Sequence, residues 1–133
     1  MLHHIEGDFC PLCDDKLSLV HEAMKEWFLW AKKIYPDLHI AWGWRGELDQ
    51  HADFMAGRSK LDWPKSKHNN MIDGRAQSLA LDVFQIDEKA VFNPKFYLEL
   101  WQRTEQEGWP VLWGGTWKSF KDMDHFELRE DLS

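Results

Sequence analysis

The sequence predicts a small α+β domain, a mostly antiparallel sheet flanked by helices. Three observations lead there. Helical periodicity stands early in the chain and again in its second half. Short apolar runs rich in branched and aromatic residues lie between and after those helices. At 133 residues the chain supports one hydrophobic core, and no repeat, low-complexity stretch or Pro/Gly/Ser linker divides it, so residues 1–133 are expected to form a single domain.

The first helix is predicted over Asp15 to Tyr35. Val20, Met24, Trp27, Ala31 and Ile34 recur at helical spacing on one face, and Pro36 stops the run. Leu38 to Trp44 reads as a strand ending in Gly43-Trp44-Arg45-Gly46. A short helix over Glu47 to Ala56 follows, closed by Gly57. Arg58 to Arg75 is polar, contains Pro64 and Gly74, and is predicted to be a long irregular segment of the kind that often carries function. Ser78 to Ile86 is apolar and branched enough for a central strand. Asn93 as N-cap, Pro94 at the first helical position and Gly108 after the last turn frame a second long helix. Its inner face carries Phe96, Leu100 and either the Arg103 stem or Thr104. Trp109 to Trp113 is another strand, Gly114-Gly115 a turn, and His125 to Leu128 the last strand.

Composition excludes several classes of function. The formal charge is −7, and Lys and Arg are scattered without a basic run interleaved with aromatics, which argues against nucleic acid as a partner. No apolar run is long enough to span a bilayer, so no membrane role is expected. Met1 to Glu6 shows no basic segment followed by an apolar stretch, so no signal peptide is expected and the protein should begin in a cytoplasm. A monomer is the expected state. The two cysteines, Cys10 and Cys13, have a spacing that can grip zinc, with His3, His4 or His21 completing a closed site; two reduced thiols in an N-terminal turn are the plainer reading. Of the nine tryptophans, Trp42, Trp44, Trp63, Trp113 and Trp117 could wall a groove or simply fill a small core.

The chemistry-bearing residues sit in apolar surroundings. Asp82 lies in the middle of Ala80-Leu81-Asp82-Val83-Phe84, and a buried carboxylate needs a cation, a metal or strong donors. A salt bridge to Arg45 or Arg75 would satisfy it as well as a metal would. His125 occupies a similar place in the last strand, with Glu127 on the same face by the two-residue period and able to support it. Asp122 stands three residues before His125, on the turn entering that strand. His68 belongs to the irregular segment that faces the start of the Asp82 strand. Two imidazoles and one carboxylate, His68, Asp82 and His125, make a zinc-ligand set that leaves a position open for water. Zinc so held acidifies water and polarises a carbonyl. Asp122 could then move the proton and Arg45 could stabilise the developing oxyanion.

Three ordered runs carry a resemblance to a known family. Gly57 to Asn69 with Ser78 to Val83 contains a Ser-x-His (Ser66, His68) followed by an Ala-x-Asp (Ala80, Asp82). Trp113 to Leu128 forms a second signature, and Trp44-Arg45 with Gln50 and Gly57 a third. Together they resemble the zinc peptidases that include D-alanyl-D-alanine carboxypeptidases and dipeptidases and the L-alanyl-D-glutamate endolysins of bacteriophages, and are closest to the endolysin branch. The resemblance covers Ile40 to Leu128 and leaves the N-terminal segment 1–14 outside. It implies zinc on His68, Asp82 and His125, placed on the sheet. By the resemblance Asp122 would be the general base, Arg45 a catalytic contact to the substrate and Ser66 a second substrate contact. Trp113, Trp117 and Glu127, read from their places beside these residues, are expected substrate contacts as well. Asp124 competes with Asp122 for the base. The stretch Asn69 to Gln77 is longer than the family's usual gap between histidine and aspartate.

The implied activity is hydrolysis of the L-Ala–D-Glu bond in peptidoglycan stem peptides, by a protein held in the host cytoplasm until lysis and then acting in the periplasm or cell wall. A D-alanyl-D-alanine carboxypeptidase or dipeptidase keeps the site and changes the bond. A non-catalytic, metal-stabilised phage structural or wall-binding module is the alternative of another class.

Overall fold

The computed structural model describes residues 11–85, 94–118 and 121–129. Helices α1 (Pro11–Leu17) and α2 (Glu22–Ile34) lead into β1 (Leu38–Trp42) and α3 (Glu47–Met55). A 3-10 turn (Lys67–Asn69) and the short strands β2 (Met71–Ile72) and β3 (Arg75–Ala76) precede β4 (Ala80–Gln85). Then come α4 (Pro94–Glu107), β5 (Val111–Trp113), a 3-10 turn (Gly114–Thr116) and β6 (His125–Leu128). The main sheet runs β1-β4-β6-β5 with antiparallel pairing throughout, which is the α+β arrangement expected.

Strand alternation gives the sheet two different faces. Leu81 and Val83 of β4 and Phe126 and Leu128 of β6 join a core with Met24, Trp27, Phe28 and Ala31 of α2 and Phe96, Tyr97 and Leu100 of α4. Each such side chain taken out of water contributes about 1.5–3 kcal/mol before entropy is counted. The Trp27 ring lies 4.9 Å from that of Phe126, and its indole N–H donates to Thr104 Oγ1 at 3.1 Å, fastening α2 to α4. Thr104 is fully buried while Arg103 is exposed, which decides between those two residues on the inner face of α4. The other face of the sheet carries Asp82, His125 and Glu127.

Several expectations need correction. The long first helix is two helices. Val20 leaves the helical path to make a parallel bridge with Ser78, and His21 then caps α2, its Nδ1 accepting from Ala23 N at 3.1 Å. Capping by a side chain competes with continuation of the helix, so the apolar periodicity carried across a break. Ile34, in the last turn, is 36% exposed and does not join the buried face. The first strand ends at Trp42 rather than Trp44, where its register shifts against β4. The segment from Arg58 to Arg75 is not wholly irregular. Asp73 and Gly74, with φ of 52° and 77°, form the tight loop between β2 and β3. Asp-Gly is the dipeptide such a two-residue loop favours, so the residues themselves signal the hairpin. Gly57 and Gly108 do close their helices, both at positive φ.

Cys13 is buried in α1, its Sγ accepting from Ile40 N at 3.4 Å and lying 3.4 Å from His39 Nδ1. Cys10, His3, His4, Ile86 and Asn93 lie outside the described residues. Among the described residues no helix is long and apolar enough to cross a membrane.

Candidate metal centre

The register of β4 against β6 sets Asp82 directly opposite His125. Residues so paired have Cβ atoms about 4.5–5.5 Å apart, close enough for the two side chains to meet. His125 Nδ1 lies 3.1 Å from Asp82 Oδ1. The third member comes from the 3-10 turn. Ser66 Oγ accepts from His68 N at 3.2 Å while Ser66 N donates to Asn69 Oδ1 at 3.1 Å, a reciprocal cap that fixes the turn. Arg45 N donates to His68 O at 2.8 Å and Asn69 Nδ2 to Arg45 O at 2.9 Å, which lock the turn to the segment after β1. The His68 ring then donates from Nδ1 to Gly43 O at 2.7 Å. That bond aims Nε2 at the centre, 3.3 Å from Asp82 Oδ1 and 3.2 Å from His125 Nδ1.

The long gap between His68 and Asp82 does not disturb this. The β2–β3 hairpin absorbs the extra residues and is closed at its base, where Gln77 N donates to Asn70 O and Asn70 Nδ2 to Gln77 O, both at 2.9 Å. Loop length is accommodated outside the site.

The proton inventory identifies what the centre accepts. A carbonyl only accepts, so His68 Nδ1 carries the hydrogen and Nε2 a lone pair. His125 Nε2 faces Glu127 Oε1 at 2.8 Å, so its proton belongs there and Nδ1 is left with a lone pair. Two imidazole lone pairs and a carboxylate oxygen thus converge, all buried, with mutual distances of 3.1 to 3.3 Å. A tetrahedral ion with bonds of about 2.0–2.1 Å has ligand–ligand edges of about 3.3 Å. The three residues could hold a metal ion, and each imidazole has the outer hydrogen bond that metal-binding histidines use to fix their tautomer. The same groups stabilise positive charge electrostatically. Burial works to raise the Asp82 carboxyl, yet His68 and His125 hold it well below the usual carboxylate range. Burial pulls the other way on His125, but its hydrogen bonds to Asp82 and Glu127 push it up to about 10. Without a metal, Nδ1 therefore holds a proton toward Asp82, and an ion bound there would displace that proton and use the lone pair.

Asp82 meets both readings of its burial at once. Oδ1 faces the histidines, and Oδ2 accepts from Arg45 Nη2 at 3.3 Å. Arg75 is exposed and plays no part. Arg45 is itself buried, with Nη1 donating to Gln50 Oε1 at 3.1 Å, Nε 3.3 Å from Asp53 Oδ2, and its guanidinium 4.8 Å from the Trp42 ring. Two of its five N–H groups are engaged in hydrogen bonds, to Gln50 and Asp82, while Nε is paired with Asp53 by charge and makes no hydrogen bond. Glu127 sits between His125 and Lys67, whose Nζ is 2.8 Å from Oε2, and both contacts outweigh burial in keeping its carboxyl low.

Asp122 enters from the β5–β6 connection, Oδ2 3.9 Å from His125 Nδ1 and the side chain 33% exposed. Its main chain packs against Gly114, where Asp122 N donates to Gly114 O at 3.1 Å. A Cβ at Gly114 would collide with the main-chain oxygen of Asp122, so only glycine allows that approach. Carboxylate oxygens of Asp82, Asp122 and Asp124 also lie within 4.8 Å of one another. Burial, a hydrogen bond to Asp122 and the charges of Asp82 and Asp122 push Asp124 up to about 8.

These groups line one cleft of about 580 Å³, with Arg45, Ser66, Trp117, Asp122 and Glu127 all on its wall. The Trp117 ring is 5.2 Å from that of His125. Trp113 is placed elsewhere. It is 5% exposed, stacked on Phe126 and donating its indole N–H to Met123 O at 2.6 Å, so it serves the core. Ser66 touches the cleft, but its hydroxyl is engaged in capping the His68 turn. Sequence reasoning passed over Lys67, Asn69 and Asp53. Asp53 had a signal, since it lies one helical turn after Gln50 on the α3 face that holds Arg45; Lys67 and Asn69 had none beyond adjacency to His68.

No family model matches the chain. Among solved structures it is similar to the crystal structure of the L-Ala D-Glu endopeptidase ChiX of Serratia marcescens, with a TM-score of 0.72 at 24% identity. The likeness covers 91% of this chain and 89% of that one. The two share a fold, the one expected from the ordered sequence runs.

Proposed function

We propose that this chain is a zinc-dependent peptidoglycan peptidase of the phage-endolysin type, hydrolysing the L-Ala–D-Glu bond of stem peptides. The observation that carries the reading is the buried triangle of His68 Nε2, Asp82 Oδ1 and His125 Nδ1, three lone-pair atoms 3.1 to 3.3 Å apart at the floor of an open cleft. Histidine and carboxylate donors in a three-residue set suit zinc with a position left for solvent or substrate. Likeness in fold to an L-Ala D-Glu endopeptidase supports the choice of bond.

Zinc bound there supplies a Lewis acid for the scissile carbonyl and lowers the pKa of water. The chain's own residues account for the rest. Asp122, partly exposed and 3.9 Å from His125 Nδ1, accepts a proton from the attacking water and returns it to the leaving amine as the C–N bond breaks. Its place on a turn anchored to Gly114 holds the carboxylate at the cleft. Arg45 lines the cleft, and the second N–H of Nη1 and of Nη2, beyond those donated to Gln50 and Asp82, are the donors it would offer to the oxygen that gains charge. Trp117 offers an aromatic wall for the peptide. The protein acts as a monomer, and reaches the wall from the cytoplasm at lysis.

Digestion of purified sacculi followed by mass spectrometry of the released fragments tests this reading. New amino-terminal D-Glu is expected from the wild type, and none from His68→Ala. Release of terminal D-alanine instead would mark a carboxypeptidase, and undiminished lysis by His68→Ala would remove the metal from the mechanism altogether.

A further inference from the structure

Charges of both signs line the cleft. The chain as a whole is −7, yet between Arg58 and Lys67 it carries Arg58, Lys60, Lys65 and Lys67 against the single acid Asp62. Asp62 lies 3.0 Å from His51 Nδ1 and accepts from Trp63 N at 2.8 Å, and it also feels the charge of Lys65 without forming an ion pair with it. Two of the four cations neutralise acids inside the site: Arg58 Nε is 2.9 Å from Asp53 Oδ1, and Lys67 is held by Glu127. Lys60 and Lys65 are exposed, and both line the cleft. Lys65 makes no ion pair among the described residues. The wall contributed by the β5–β6 connection carries Asp122 and Asp124 instead.

An anionic group entering this cleft is drawn toward Lys65 and Lys60 and repelled by Asp122, in a cleft whose floor holds the triangle that sets where the bond is cut. We infer that Lys65, with Lys60 beside it, binds a free carboxylate adjacent to the scissile bond and thereby sets the direction in which the peptide lies. The inference rests on the peptidase reading and sharpens its substrate class. A glutamate joined to its neighbours through its amine and one carboxyl keeps the second carboxyl free, so the D-Glu of an L-Ala–D-Glu bond brings the required charge on the leaving-amine side. The same peptide with that carboxyl amidated keeps its shape and loses the charge.

Two synthetic stem peptides differing only in carboxylate or carboxamide at this position, digested under matched conditions, provide the test. Wild type should cleave the acid with kcat/KM about tenfold above the amide, the discrimination expected of one charge-assisted hydrogen bond near solvent. The ratio should shrink as salt rises from about 0.05 to 0.3 M, because the contact is exposed to screening. Lys65→Gln, and more fully the pair Lys60→Gln with Lys65→Gln, should raise KM for the acid and bring the ratio toward one, while Lys65→Arg should keep it. Both positions are exposed, so folding should survive. Equal cleavage of the two peptides by wild type, or a ratio untouched in the double variant, overturns the carboxylate contact and leaves the peptidase standing. Cleavage of neither peptide removes the peptidase reading and this inference together.

Discussion

Asp82 and His125 reach the centre by a different route from His68. The first two are cross-strand partners in a sheet whose register is enforced by every core residue on the opposite face. A slip of one residue would turn Leu81 and Phe126 out of the core, so the fold and the ligand pair are specified together. His68 has no ladder behind it. Its place depends on a three-residue turn, a reciprocal Ser66–Asn69 cap, and bonds to the main chain at Gly43 and Arg45. Damage to the strand-borne half should therefore remove the centre outright, while damage to the loop-borne half should loosen it by degrees.

The largest effect is expected at Asp82. Asp82→Asn removes the anionic oxygen from the triangle and leaves the buried Arg45 with Asp53 as its remaining carboxylate. Zinc content by elemental analysis and lysis of sacculi should both fall to background. Stability should fall as well, toward the roughly 3–5 kcal/mol of a broken buried ion pair, reduced by the share Asp53 retains. Wild type treated with chelator should lose activity in the same way but regain it on zinc addition, and its melting temperature should rise again with zinc because the ion binds only the folded chain.

An intermediate effect belongs to Glu127, which holds the outer nitrogen of His125 at 2.8 Å. Glu127→Gln cannot accept the imidazole proton with a charged oxygen, and should weaken zinc binding by about 10–100-fold. On the loop side the counterpart is Asn69. Asn69→Ala removes one arm of the cap and the bonds to Arg45 O and Gln50 Oε1, at a cost of about 1–3 kcal/mol in stability. Activity lost by Asn69→Ala should return at high zinc, since the three ligands remain and only their preorganisation is reduced. A variant that stays inactive at saturating zinc would mean that the turn does more than aim His68.

This division also explains how much was legible in the sequence. Asp82 and His125 announced themselves because a charged or imidazole side chain among apolar neighbours in a strand has a high cost of burial and so needs a partner. Glu127 followed from the two-residue period. The loop side gave less away. Its order resides in backbone bonds and a local cap, which any polar stretch could make, and periodicity is blind to both. Ser66 shows the consequence: the family resemblance implied a substrate contact, and its hydroxyl is bonded to the His68 amide. Trp113 shows the converse, since it was one of the tryptophans that could wall a groove or fill the core, and its ring packs on Phe126. The first helix was over-read for a related reason. Val20 faces the core whether or not the helix is continuous, so apolar spacing alone could not reveal the break.

The smallest effect on zinc binding and turnover should come from the tip of the β2–β3 hairpin, where the chain is furthest from the centre's own contacts. Gly74 sits at φ 77°, and a Cβ added there would have nothing within 4 Å of it. Gly74→Ala therefore meets no clash, and its cost is that of the left-handed backbone alone, about 1–2 kcal/mol. Asn70 and Gln77 still close the base of the hairpin. A fall of a few degrees in melting temperature with unchanged zinc affinity and unchanged turnover is expected. Any loss of zinc affinity in Gly74→Ala would show that the hairpin tip is coupled to His68 through the Asn70–Gln77 clamp, and that the loop-borne half of the centre extends further from the metal than its direct contacts indicate.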